Sequence, residues 1–181
     1  MEENEKNEKM LVSSPAAPLK KVSGDEDEEK FEEEVLEVRR VTKVTEGGKK
    51  LHFRVGVALG NKRGKIGLGI AKALEVPQAL DKARAKAMKN LIEVPIVEET
   101  IPFEIKTKFK TVEIFLKPAS KGTGLIAGRL IRPLIELAGI KNILSKVRGS
   151  NDKLVNAYAT LKAFGLLSKY YQKLKKIDKK K

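Results

Sequence analysis

Apolar and polar positions alternate most regularly between Leu51 and Leu59. Leu51, Phe53, Val55, Val57 and Leu59 share one parity, and His52, Arg54, Gly56 and Ala58 the other. Strict alternation predicts a strand with one buried face. Val35, Val38, Val41 and Val44, set among charges, predict a preceding strand whose period breaks near Arg39-Arg40, as at a bulge. Glu46-Gly47-Gly48-Lys49 then reads as the hairpin turn between them. A second turn, Gly60 to Lys65, leads to a third strand with Ile66, Leu68 and Ile70 inward. That leaves Gly56, Gly67 and Gly69 on the opposite face, where a glycine often marks close approach by another backbone. With Arg54, Lys62, Arg63 and Lys65 around it, the approaching backbone is either RNA or a packed protein neighbour.

From Pro77 the period becomes helical: Leu80, Ala83, Ala87, Met88 and Leu91 form a stripe that covers the sheet. Val94–Glu99 reads as a junction, with Glu98 and Glu99 pointing apart on an extended chain. Beyond it the pattern predicts a strand at 101–105, an alternating basic face (Lys106, Lys108, Lys110) and a strand at 112–116. A helix follows to about Ala138, with Leu125, Ile126, Leu130, Leu134 and Leu137 apolar, Pro133 as a kink and Gly139 as its end. Ile143, Leu144 and Val147 form a short strand. Ser150 caps a last helix through Leu154, Ala157, Tyr158, Leu161 and Phe164, which Gly165 stops. Residues 168–181 form a basic tail, helical or frayed.

The turn that joins the 112–116 strand to the following helix carries candidate chemistry. In Lys117-Pro118-Ala119-Ser120-Lys121-Gly122-Thr123-Gly124 the proline and glycines force unusual backbone angles, and Thr123 is placed to cap a helix. Unpaired amides beside Lys117 and Lys121 make an anion-seeking surface; the plainer alternative is an ordinary strand-to-helix turn. The Gly-Lys-Ser/Thr of a nucleotide loop is missing.

Charge changes the picture. Residues 1–34 carry 12 acids and 5 bases, net −7, whereas residues 35–181 carry 33 bases and 12 acids, net +21. A body this basic implies a polyanionic partner. Thirty lysines against eight arginines suit point-charge phosphate contacts better than bidentate base reading. The first 34 residues read as a disordered acidic extension, either simply solvated or competing with RNA for the basic face. The chain has no cysteine and one histidine, His52, so thiol chemistry and paired-histidine metal sites are excluded. No apolar run reaches membrane-spanning length, and the acidic N-terminus is unlike a secretory signal, which predicts a cytoplasmic protein.

The segment Lys-Pro-Ala-x-x-Gly-Thr-Gly, followed by an apolar pair and Ala-Gly, resembles the signature of bacterial small-subunit ribosomal protein five. Three further blocks agree in order: Arg40-Val41-Thr42-Lys43-Val44 with Gly47-Gly48 and Phe53; Gly64–Gly69 with Lys72-Ala73 and Glu75-Val76-Pro77; and Ala138-Gly139-Ile140 through Gly149-Ser150-Asn151. The resemblance implies an α+β protein of two parts. Residues 35–97 would form a double-stranded-RNA-binding-like, three-stranded sheet with one helix. Residues 98–167 would form a two-layer α/β sandwich containing a β-α-β crossover, left-handed in the family.

It further implies a structural constituent of the small ribosomal subunit, not an enzyme, with no cofactor, metal, membrane or small-molecule substrate. Arg40, Thr42, Lys43, Gly47 and Gly48 would reach ribosomal RNA. Gly128, Arg129 and Arg132 would face ribosomal protein four at an interface tied to decoding accuracy, with Arg129 standing where the family usually repeats glycine. The opposite side of the domain would meet ribosomal protein eight, and the basic faces would border the messenger RNA entry channel. From charge and position, the RNA-binding set extends to Arg39, Lys49, Lys50, Arg54, Lys62, Arg63, Lys65, Lys72, Lys117 and Lys121. Two rivals remain: a small-molecule kinase, which lacks its nucleotide loop and metal-binding acid, and a free double-stranded-RNA binder.

Overall fold

The computed structural model describes residues 30–178; the expectations for 1–29 and 179–181 lie outside them. The chain forms β1 (Glu32–Thr45), β2 (Gly48–Gly60), β3 (Lys65–Ala73), α1 (Val76–Lys89) and β4 (Leu91–Glu93). The second half forms β5 (Ile105–Phe109), β6 (Val112–Pro118), β7 (Leu125–Ile126), α2 (Arg132–Ala138), β8 (Ile143–Arg148) and α3 (Lys153–Asp178). The expected α+β architecture is present: an antiparallel sheet with a helix, then an α/β sandwich. The first sheet runs β1-β2-β3-β4, so the short β4 adds a fourth strand to the expected three, and Leu91 belongs to it rather than to the helix. The second sheet runs β5-β6-β8-β7, with β7 parallel to β8 and α2 as the crossover between them.

Register decides which face each side chain takes, and it overturns the assignment of the glycines. Val57 lies opposite Gly69 and Leu59 opposite Gly67, so these glycines share a side with the apolar face of β2. Both lie under α1: a Cβ on Gly69 would stand 1.9 Å from the Ala83 carbonyl oxygen, and one on Gly67 2.3 Å from that of Ala87. They let Ala79, Ala83 and Ala87 seat the helix against Val55, Val57 and Leu59. Gly56, on the other side, is covered by Leu154. The backbone approaching the sheet is therefore protein. Ala58, Ile66 and Leu68 face away from α1 and join the main core with α2, α3 and β6, so the first sheet is buried on both faces.

Several local expectations shift. Order begins by Glu32, and β1 bulges between Val35 and Glu37 rather than at Arg39-Arg40, which buries Leu36. Leu51 extends past the helix-covered part of the sheet and is 49% exposed, and Met88 also faces solvent. The expected 101–105 strand is displaced to β5, with Ile101 buried ahead of it, and Lys110 sits in the β5–β6 turn at φ 52° instead of on the basic strand face. Leu125–Ile126 is a strand, so α2 starts only at Arg132, and Pro133 lies in its first turn, where proline is tolerated, rather than at a kink. Gly139, at φ 86°, ends it as expected. Asp152, not Ser150, caps α3, accepting from the Leu154 and Val155 amides at 2.9 and 3.0 Å. α3 runs through Gly165 to Asp178, held by buried Phe164 and Leu167 on either side.

The two halves are clipped together at one end. The Lys62 and Gly64 amides in the β2–β3 turn donate to the Leu137 and Ala138 carbonyls at 3.0 and 2.9 Å, satisfying the C-terminus of α2. Gly60 and Gly139 permit the fit, since a Cβ on either would lie 2.2 or 2.1 Å from a backbone oxygen across the junction.

Candidate nucleic-acid interface

β1 and β2 are longer than β3, whose pairing ends at Phe53↔Ala73. The hairpin from Arg40 to Phe53 therefore stands out from the sheet as two strands, tipped by Glu46-Gly47. A bare two-stranded ribbon has little local reason to persist; here it is rooted in a sheet buried on both faces.

The register sorts the cations of the hairpin and of its root by side. Arg39 pairs with Arg54, Arg54 with Lys72, and Lys43 with Lys50, placing these five on one side with His52 and Val41. Arg40, Thr42 and Lys49 share the other side with Leu51, Phe53 and Val44. Gly47 and Gly48 form the tip, both exposed, Gly48 at φ 131°. On the five-cation side, from residue 37 to residue 54, the only acid is Glu37. It is held between two arginines: Arg39 Nε is 2.5 Å from Oε1 and Arg54 Nη2 3.5 Å from Oε2. Glu37 was not among the residues expected to matter, and pattern alone could not find it, because the bulge at Leu36 sets its side.

Lys62, Arg63 and Lys65 do not join this group. They lie at or beside the β2–β3 turn, roughly 40 Å along β2 from the hairpin tip at ~3.4 Å per residue. Lys62 is paired with Glu32 at 2.6 Å, Lys65 lies in register with Glu93, and Arg63 is exposed. On the next element, Arg84 is gripped by Glu33 through Nε and Nη2 at 2.7 and 2.8 Å, which raises its pKa. The expected single cationic face is thus two separate ones.

The Lys117–Gly124 turn is also not the anion site expected. Its amides already have partners: the Asn142 Oδ1 atom, in a buried side chain, accepts from Gly122 N at 3.2 Å and Gly124 N at 3.0 Å. Thr123 caps no helix; its hydroxyl lies 3.1 Å from that of Ser120. Lys117 points outward from β6, and Lys121 meets Glu98 at 3.6 Å in an exposed pair. Glu98 and Glu99 occupy a tight turn at φ 50° and 68° instead of extended chain. Lys141 hydrogen-bonds the exposed Glu99 carboxylate and lowers its pKa.

Gly128 and Arg129, between β7 and α2, and Arg132, the first residue of α2, are all exposed; Arg132 donates to the Leu125 carbonyl at 3.1 Å, and a Cβ on Gly128 would meet nothing. The outer face of the second sheet carries Lys106, Lys108, Lys117, Lys146 and Arg148 around Phe115, set in register across three strands. Lys146 and Arg148 are cations that the sequence reading missed, since only the strand pairing sets them on the face of Lys106 and Lys108, across β6 with its Phe115 and Glu113, the latter paired with Lys106 at 3.0 Å. Among the described residues, no group of three or more histidines, cysteines or acids is gathered as for a metal ion, and no helix is long and apolar enough to cross a membrane.

Comparison with known proteins gives two family matches, "Ribosomal protein S5, N-terminal domain" over residues 31–95 and "Ribosomal protein S5, C-terminal domain" over residues 107–177. Small ribosomal subunit protein uS5 of Thermotoga neapolitana is 54% identical over 133 residues, 74% of this chain and 75% of that protein. The uS5 protein of Thermosipho africanus is 50% identical over 133 residues, 74% and 76% of the two chains. That of Chloroflexus aurantiacus is 43% identical over 148 residues, covering 82% of this chain and 83% of its own.

Proposed function

The chain belongs to the ribosomal protein S5 family, and from that premise we propose that its projecting hairpin binds folded small-subunit ribosomal RNA by neutralising phosphates. As a member of the family it is a structural, non-enzymatic constituent of the small ribosomal subunit in the cytoplasm. The observation that carries the RNA reading is the five-cation side of the hairpin and its root, where Arg39, Arg54 and Lys72 cross three strands in one row and Lys43 and Lys50 continue it. Cations on a paired ribbon at such spacing suit recognition of backbone shape more than base sequence. Arg40, Thr42 and Lys49 on the reverse side, and Gly47 and Gly48 at the tip, complete a ribbon that RNA can surround. Lys62, Arg63 and Lys65 form a second, smaller contact at the far end, and Lys117 and Lys121 serve only as exposed charges.

Gly128, Arg129 and Arg132 are proposed to meet ribosomal protein four, and the other side of the second domain ribosomal protein eight. The exposure of that trio, and the open space over Gly128, support the first contact. A role in decoding accuracy and a place at the messenger RNA entry channel belong to the same proposal.

The test is a salt titration of binding to a small-subunit ribosomal RNA transcript. If six to ten phosphates are neutralised, affinity falls roughly 10³–10⁵-fold between ~50 and ~200 mM salt. Replacing Lys43 and Lys50 by glutamine should flatten that slope by about 2. A slope near zero in the wild-type protein defeats the reading.

A further inference from the structure

We propose that Glu37 is a positioning residue that sets Arg39 and Arg54, with Lys72, as a preformed seat for one RNA phosphate at the root of the hairpin; the inference rests on reading the hairpin as an RNA-binding element. Directly opposed residues of antiparallel strands hold their Cβ atoms ~5 Å apart, and like charges so placed repel. Arg39, Arg54 and Lys72 are opposed in this way across β1, β2 and β3. Left alone, the three side chains would splay. Glu37 lies on the same side, two residues inward, opposite Gly56.

Its carboxylate bridges the two guanidiniums, 2.5 Å from Arg39 Nε and 3.5 Å from Arg54 Nη2. The Glu37 side chain is only 9% exposed, against 52% for Arg39 and 28% for Arg54. The acid is thus recessed beneath the cations, too deep to repel an arriving phosphate strongly and close enough to orient both arginines. The arrangement keeps a surplus of two positive charges, and about half of the Arg39 side chain remains open to solvent. The Arg54 arm is incompletely satisfied: Glu37 Oε2 and Arg54 Nε are buried without a hydrogen-bond partner. A phosphate would instead meet the exposed part of the Arg54 guanidinium and add an acceptor there, as charge-assisted bonds to guanidinium do.

Charge alone and positioning predict opposite signs, which makes the test decisive. By charge alone, Glu37→Gln removes a negative group from an RNA-facing surface and strengthens binding. By positioning, it frees the arginines and weakens binding about tenfold, the loss of one charge-assisted contact. The assay is fluorescence anisotropy of the full-length protein with a labelled duplex RNA. Glu46→Gln, at the exposed hairpin tip, serves as the charge-only control and should bind slightly tighter. In an Arg54→Gln background the Glu37→Gln effect should shrink, because the two act through one contact.

Wild-type affinity or better for Glu37→Gln overturns the inference while leaving the RNA-binding reading intact. No binding by the wild-type protein defeats that reading instead. Should Glu37→Gln fail to fold by circular dichroism, Arg39→Gln and Arg54→Gln, singly and together, decide: non-additive losses support the seat, and additive losses overturn it.

Discussion

Replacing Gly69 by alanine tests the packing of the first sheet most directly. The new Cβ would stand 1.9 Å from the Ala83 oxygen and 2.6 Å from the Ala87 nitrogen, both backbone atoms of α1, so no side chain can swing aside. Restoring an ordinary contact of 3.4 Å to that oxygen requires the helix to withdraw by about 1.5 Å. A gap of even 0.5–1 Å forfeits roughly a quarter to a half of each dispersion contact. Ala79, Ala83 and Ala87 would all lift from Val55, Val57 and Leu59. The expected loss is about 3 kcal/mol, the upper part of the range for overpacked cores. For a chain of this size that lowers Tm by roughly 6–12 °C.

Thermal and urea unfolding followed by circular dichroism measure it, with Gly128→Ala as a control expected to stay within ~0.5 kcal/mol, because its Cβ meets nothing. A Gly69→Ala protein that melts within about 1 °C of the parent yet loses RNA affinity would refute the packing argument. It would mean that the glycine face opens to RNA after all.

Asn142→Leu strands the Gly122 and Gly124 amides and should cost about 1–3 kcal/mol, with faster hydrogen exchange at those two amides as the local readout. Asp152→Ala removes the cap of α3 and should cost about 1 kcal/mol in denaturant unfolding, with fraying confined to the first turn. The Glu99 pKa is lowered by its hydrogen bond and charge pairing with Lys141, so the pair's contribution is present at neutral pH and is lost as the pH falls through the folded-state value. In Lys141→Met the Glu99 carboxyl should titrate higher by NMR; an unchanged titration would show that the pair has no effect.

The alternation from Leu51 to Leu59 was enough to define β2 and its helix-facing side, because one parity there is uniformly apolar. The mirror error at Gly67 and Gly69 came from β3. Ile66, Leu68 and Ile70 look like the buried parity; Ile66 and Leu68 are indeed buried, but against the second half of the protein rather than α1, and Ile70 is only half-buried. When both faces of a sheet are covered, hydrophobicity no longer says which face is which; a one-residue difference in register reverses the answer. β7 has two residues and no period to detect, so its leucine and isoleucine passed for the start of a helix.

Gly165 reads as a stop because glycine weakens an isolated helix by ~1 kcal/mol, a penalty that burial of Phe164 and Leu167 exceeds. The hairpin residues were legible from sequence as basic and turn-forming, but their division between two sides, the recessed Glu37, and the remoteness of Arg63 depend on pairing across strands. Lys146 and Arg148 joined the second-sheet cations for the same reason.

The clip between the β2–β3 turn and α2 has a consequence for the chain as it is made. Synthesis delivers the first sheet before the segment that caps it, so Ala58, Ile66 and Leu68 emerge with α1 behind them and water in front. Only when residues 137 and 138 arrive do the Lys62 and Gly64 amides find their carbonyls. The nascent protein therefore passes through an interval with a wet, sticky layer exposed, closed by a lock whose two parts lie some seventy-five residues apart in the chain.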